Sequence, residues 1–268
     1  FNPEEDTIAY SDMLEIDKWA LYVTENLLKE ITSGYENFEF HKVTHLVYNF
    51  CVLEMSNVYL DIIKDRLYIF PKASIERRSC QSALFRILDV MIKVLSPIFP
   101  FTMEEVFAHI NKKSESESVH AQPWPVPNNA FLEYPHKEKW DRLFKIRALV
   151  MKALESKRSQ KEIGDSLEAG IEIFSADFKG LEFLKSFDDL KAIFLVSEVN
   201  LHSTENLDGE YTLKDEEIKL GVAVRKAKGN KCLRCWNYSE TVGNNKKFTL
   251  LCSRCASILE EADIHGDA

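Results

Sequence analysis

Cys232-Leu233-Arg234-Cys235 and, sixteen residues further on, Cys252-Ser253-Arg254-Cys255 decide how the last part of this chain folds. Each pair is a C-x-x-C knuckle, and two knuckles so spaced are the sequence form of a closed tetrahedral thiolate site. Four sulfurs without histidine or carboxylate leave no coordination position open, so the expected role is structural and not hydrolytic. One structural Zn2+ is the expected occupant; a rubredoxin-like iron centre is the rival that tetrahedral sulfur leaves open. Lys231 precedes the first knuckle, Trp236 follows it, and Arg234 and Arg254 lie inside the two knuckles. These four residues read as a surface offered to a nucleic acid, Trp236 giving a stacking plane for an unpaired base. Packing of Trp236 over the metal site is the competing role.

Outward from the knuckles, charge is segregated. The whole chain of 268 residues carries a net charge of −9. Residues 225–255 hold eight Lys/Arg against one acid, and residues 137–162 hold nine against four. Residues 166–218 hold thirteen acids against four bases. A polyanion meets local patches, not the net charge, so nucleic-acid binding survives the acidic total. Cys51 and Cys80 stand alone in apolar helical patterns and read as buried free thiols, a usage that fits a reducing, cytoplasmic setting. No apolar run reaches membrane-spanning length and no signal peptide is visible, so no membrane partner is expected. The chain starts at Phe1, not Met, which reads as a piece of a longer polypeptide.

Toward the N-terminus the period is helical. Ile16, Trp19, Val23, Leu27 and Ile31 mark a helix over 12–33, with Asp12 and Glu15 as a capping box and Gly34 as its stop. A second pattern runs from about Glu39 to Arg66 through Val43, Val47, Phe50, Leu53, Leu60 and Ile63. A third runs from Ser74 to Leu95, with Leu84, Ile87, Leu88, Met91 and Leu95 as core, and Ser96-Pro97 ends it. Thr102 and Glu105 open a short fourth helix. Four apolar-faced helices with short connections imply an antiparallel bundle over 1–110. Residues 111–136, rich in Ser and Pro, form a covering loop. Residues 137–164 form a basic connecting helix with Trp140, Phe144, Leu149 and Leu154 inside. Residues 165–225 form a small α/β junction with strands at 170–174, 192–196 and 220–224 and a helix over 181–190, and residues 226–268 form the metal domain.

Chemistry outside the cysteines is sparse. His41 and His45 are spaced for one helix face, but Lys42 stands where a zincin needs Glu, so they are read as polar-face residues. Lys64 and Arg66 close a helix, where positive charge suits the dipole. Arg77 and Arg78 open the next one, where it does not, and facing a phosphate or simple solvation remain equal readings. There is no Walker A loop, no G-x-G-x-x-G and no nucleophile elbow, so no catalytic residues are expected.

Several phrases together resemble one family. Tyr35-Glu-Asn-Phe-Glu-Phe-His41, Tyr48-Asn-Phe-Cys51, Tyr59-Leu-Asp-Ile-Ile-Lys-Asp-Arg-Leu-Tyr68, Arg77-Arg78 with Gln81, and Ser96-Pro97 through Glu105 look like the anticodon-binding bundle of class I isoleucyl-tRNA synthetases. Ala153 through Ala169, Leu195 through Val199 and Lys226 through Trp236 extend the likeness along nearly the whole chain. The resemblance implies a mainly α fold: an antiparallel bundle of class I synthetase anticodon-binding type, then a small α/β junction unit and a four-cysteine zinc ribbon, in the bacterial-type form. It implies a tRNA-binding portion of an isoleucine–tRNA ligase. That portion holds the anticodon stem-loop of tRNA-Ile as a monomer, while catalytic and editing domains of the same parent chain perform ATP-dependent aminoacylation. Lys64, Arg66, Arg77 and Arg78 match basic family positions near the RNA side, and Arg234 and Trp236 match the family's Arg-Cys-Trp. Leu233 stands where the family often has Pro. The same module of a valyl or leucyl enzyme, or a zinc-ribbon adaptor that binds protein, are the alternatives.

Overall fold

The structure, a computed structural model, describes residues 1–110, 117–205, 207, 209, 211–215 and 217–265. The Lys-Ser-Glu repeat of the covering loop lies largely outside the described residues. The chain divides into two compact units: Phe1–Leu67 with Lys72–Lys137, and Tyr68–Pro71 with Glu138–Ala268.

The first unit is helical: α1 (Pro3–Asp6), α2 (Glu15–Glu36), a continuous helix made of α3 (Phe40–Asn49), a π-helical stretch (Phe50–Leu60) and α4 (Asp61–Tyr68), then α5 (Ile75–Leu95), α6 (Pro100–Ile110) and α7 (Asn129–Leu132). Helix α2 packs on both α3 and α5. It buries Ile16, Trp19, Leu21, Leu27, Leu28 and Ile31. Its ends differ from the expected ones. Leu14, not Asp12, occupies the N-cap, and the Ser79 hydroxyl accepts the Leu14 N–H at 2.8 Å. Gly34 is not a stop: the helix runs on to Glu36, and a Cβ at Gly34 would sit 2.8 Å from Val43 Cγ2. The glycine lets α3 approach.

The π-helical stretch changes which residues are buried. Its hydrogen bonds span five residues, so each turn takes in more chain than an α turn. The buried side therefore steps from Phe50 to Met55 to Tyr59 and then to Ile62 and Ile63. Leu53 and Leu60, expected inside at α spacing, are exposed, and so is Cys51. The helix Phe40–Tyr68 is long and apolar enough, by length and composition, to cross a membrane, with a mean hydropathy of 1.3 over an 18-residue window. This differs from the expectation drawn from uninterrupted apolar runs. In the fold it serves as a bundle helix on α2.

Helix α5 starts as expected, Ser74 Oγ accepting the Arg77 N–H. It buries Ile87, Val90, Ile92 and Val94 beside the small residues Ser79, Cys80, Ser82 and Ala83, while Leu84, Met91 and Leu95, expected inside, are half-buried and Leu88 is exposed. Helix α6 begins at Pro100, two residues before the expected Thr102 cap. Ahead of the loop's prolines a 3-10 turn at Val119–Ala121 interrupts it, and between Pro127 and Pro135 helix α7 does.

Two carboxylates sit fully buried on α2, and arginines of two other helices answer them. Asp17 takes two hydrogen bonds from Arg66, at 3.0 and 2.9 Å, one from Tyr59 at 2.7 Å and a short one from Ser79. Glu25 pairs with Arg86 at 2.8 Å and accepts the Asn128 N–H at 3.0 Å. Burial and the Asp17 charge push the Tyr59 hydroxyl well above its ordinary range.

The second unit holds α8 (Lys137–Ser159), β1 (Ala169–Ser175), α9 (Phe178–Lys185), α10 (Leu190–Phe194), β2 (Glu198–Ser203), β3 (Leu213–Asp215), β4 (Leu220–Lys226), β5 (Asn230–Lys231), β6 (Tyr238–Ser239) and α11 (Ser253–His265). The main sheet has order β2-β1-β4-β3, with β1 parallel to β2 and antiparallel to β4. Helix α8 buries Trp140, Leu143, Ile146, Val150 and Leu154, with Phe144 and Leu149 only half-buried. The strand expected at 192–196 is helix α10. Asp189 caps it through the Ala192 N–H, and Leu195 ends it in the left-handed region. The strand follows at Glu198, where Val199 and Leu201 alternate with polar residues.

Candidate metal centre and nucleic-acid interface

The metal centre is built on a hairpin. Strands β5 and β6 pair Asn230 with Ser239 and Lys231 with Tyr238. Gly229 precedes them at φ 81°, where any Cβ would lie 2.2 Å from the Ser239 backbone. The hairpin loop is the first knuckle: Trp236 N–H bonds to Cys232 O and Cys232 N–H to Asn237 O, both at 2.9 Å. The second knuckle leads into α11, and Cys252 donates its N–H to Cys232 Sγ at 3.3 Å. Leu233 N–H to Leu250 O, at 3.1 Å, ties the two knuckles together. Ile69, Phe70, Val242, Leu251 and Ile258 pack around the sulfurs.

All four cysteines are buried, with their sulfurs within 4.8 Å of one another, and they form the one such ligand group among the described residues. Zinc–sulfur bonds of about 2.3 Å in a tetrahedron set sulfurs about 3.8 Å apart. Cys235 Sγ and Cys252 Sγ are 3.8 Å apart. The sulfurs alone share protons unevenly. A hydrogen bond from Cys255 holds Cys235 down at about 3, while that same bond, burial and neighbouring sulfurs push Cys255 up. A dication that makes all four thiolates removes this conflict.

The expected nucleic-acid residues fare differently. On the metal domain, Lys231 Nζ lies 5.4 Å from the ring centroid of Trp236, a residue 61% exposed. Arg254 is exposed, its guanidinium 5.8 Å from the Phe70 ring. Arg234 is half-buried, and its Nη1 is buried without a hydrogen-bond partner. On the bundle, Arg66 is committed to Asp17. Arg78 pairs with Asp6 at 2.9 Å and bonds Gln81 at 3.0 Å. Lys64 lies 3.7 Å from Asp61 on the surface, and Arg77 is half-buried in the first turn of α5. Two apolar side chains that nothing in the sequence marked as surface, Leu233 inside the first knuckle and Leu250 just before the second, are exposed. His41 and His45 are exposed on α3.

Residues 17–173 match the family model described as the anticodon-binding domain of tRNA ligase. The chain belongs to that family. Residues 229–258 match a second model, the zinc finger found in FPG and IleRS, which together with the four-sulfur geometry makes the cluster a structural zinc site. The chain is 43% identical over 263 residues to an isoleucine–tRNA ligase of Caldanaerobacter subterraneus subsp. tengcongensis, 97% of this chain and 28% of that protein. It is 41% identical to the isoleucine–tRNA ligase of a Thermoanaerobacter species over 263 residues and 40% identical to that of Petrotoga mobilis over 264 residues, with the same coverage. The chain thus spans a little over a quarter of the length of the relatives it matches.

Proposed function

We propose that this chain is the C-terminal, tRNA-reading portion of an isoleucine–tRNA ligase. It holds the anticodon stem-loop of tRNA-Ile while other domains of the same polypeptide carry out ATP-dependent aminoacylation, and it contributes no catalytic residue itself. The setting is cytoplasmic and the chain monomeric. The observation that carries this reading is the pairing of one family with another in a single chain: an anticodon-binding match over 17–173 followed by a four-cysteine zinc finger over 229–258.

The chemistry supports it. An anticodon loop is single-stranded, and its splayed bases suit aromatic stacking and edge hydrogen bonds. Trp236 is exposed with Lys231 against it, an arrangement for a base on one side and a phosphate beside it. Lys64, Arg77, Arg234 and Arg254 are the further cations assigned to the RNA, and the bundle (1–110) and metal domain (226–268) the parts that carry them. Arg66 and Arg78, spent on acids, are assigned to the fold.

The test is binding of tRNA-Ile, tRNA-Val and tRNA-Leu to the 268-residue chain at matched salt. Selective retention of tRNA-Ile, weakened about tenfold by Trp236→Ala, is expected. Equal affinity for all three would remove the isoleucine assignment.

A further inference from the structure

Five non-glycine residues among those described have positive φ: Phe38 (58°), Lys161 (60°), Leu195 (56°), Lys219 (52°) and Trp236 (66°). A residue with a Cβ is strained there, and glycine or asparagine is the ordinary occupant. Two of the five are aromatic, and both are largely exposed, Phe38 at 80% and Trp236 at 61%. Neither ring recovers the strain through burial. A strained backbone bearing an exposed aromatic ring points to a task outside the fold.

Phe38 closes α2. Its N–H bonds to Tyr35 O at 3.1 Å, and Glu39 N–H bonds to Gly34 O at 2.7 Å. This helix-ending position favours glycine. The ring is the outer member of a row. Phe38 meets Phe40 edge-on at 6.3 Å, Phe40 meets Tyr35 at 5.9 Å, and Tyr35 meets Trp124 at 5.4 Å. The inner rings are anchored: Tyr35 donates to Val94 O at 2.8 Å, and Trp124 Nε1 donates to Thr32 Oγ1 at 2.9 Å. Glu36 stands two residues before Phe38 and Glu39 directly after it, with Lys42 3.6 Å from Glu39. That setting suits the uncharged face of a base and repels a phosphate.

We infer that Phe38 is a stacking platform for an unpaired base of an RNA loop. The first unit then makes a base contact of its own, independent of the metal domain. The inference rests on the tRNA reading above and adds a contact to it. Phe38 lies within the span matched by the anticodon-binding family, and the lysine-flanked Trp236 repeats its combination of positive φ and exposed ring in the other unit. Splayed RNA bases are recognised by stacking of this kind.

The experiment compares wild type, Phe38→Gly, Phe38→Asn and Phe38→Trp in the 268-residue chain, with an RNA hairpin of the tRNA-Ile anticodon arm carrying 2-aminopurine in its loop. Glycine and asparagine fit the left-handed backbone, so melting temperature should hold or rise. Affinity should fall about tenfold and 2-aminopurine quenching should be lost, while Phe38→Trp keeps both. If wild type binds the hairpin and Phe38→Gly binds it equally well, the Phe38 assignment fails while the tRNA reading stands. If wild type does not bind the hairpin, both fail.

Discussion

Arg66 shows what a single side chain decides. By sequence it is a cation at a helix end in a phrase shared with RNA-binding relatives; in the fold its guanidinium forks onto a carboxylate without solvent exposure. Removing it leaves Asp17 charged, buried and short of two donors. Breaking a buried pair by deleting one partner costs about 3–5 kcal/mol, so Arg66→Ala should lower unfolding free energy in urea by about that much. The salt dependence of tRNA binding should not change, because no phosphate contact is lost. Tyr59→Phe removes one hydrogen bond to the same charge and should cost less, about 1.5–3 kcal/mol. The four cysteines were legible because their spacing is local and their chemistry allows few uses. Asp17 was not, because its partners lie 42, 49 and 62 residues away. No window of sequence brings α2, α4 and α5 together.

At the scale of elements, long α-helices were legible and departures from α geometry were not. The apolar positions of Phe40–Tyr68 announce a helix, but nothing in Phe50–Leu60 announces that its turns widen, and the inward face shifts with them. The strand misread at 192–196 has a comparable cause: a buried short helix and a buried strand share an apolar run, and only the Asp189 cap distinguishes them. The α2–α3 contact gives a direct test. Gly34→Ala places a Cβ 2.8 Å from Val43 Cγ2 and should destabilise by about 1–3 kcal/mol. Adding Val43→Ala to Gly34→Ala should relieve the clash, so the double variant should be more stable than the two single losses summed. The main sheet yields a pH prediction. On β1, Glu172 is bonded by Asn200, His202 and Arg225, and these outweigh its burial to hold its carboxyl at about 2. Glu198, bonded by Arg225 and Lys228 N–H, is lowered in the same way. A carboxylate depressed in the folded state stabilises fully above its unfolded value and loses that stabilisation as pH falls through the folded one. Wild type should therefore melt above Glu172→Gln at pH 6, and the gap should close between about pH 4.5 and pH 2.

Across the whole molecule, a net charge of −9 coexists with an affinity proposed for a polyanion, because acids and bases occupy different segments. What holds the basic C-terminal segment in shape is small. Around the sulfurs pack Ile69, Phe70, Val242, Leu251 and Ile258, too few apolar groups to offset the entropy of ordering some forty residues. Metal binding contributes about 10–16 kcal/mol in zinc-finger peptides and is in effect their folding free energy. The bundle, by contrast, has a core of its own from Ile16 to Phe107. Chelation should therefore unfold the metal domain and leave the bundle intact. Among the described residues of the metal domain the one helix, α11, has 13 residues, so far-UV circular dichroism should barely change. Protease cleavage should appear within 226–268, and tRNA affinity should fall as Lys231 and Trp236 lose their setting. Lowering the pH should release zinc in the same manner, since protons compete for the thiolates. If chelated protein stays protease-resistant in that segment and binds tRNA as before, the sulfur cluster is not what orders the basic surface.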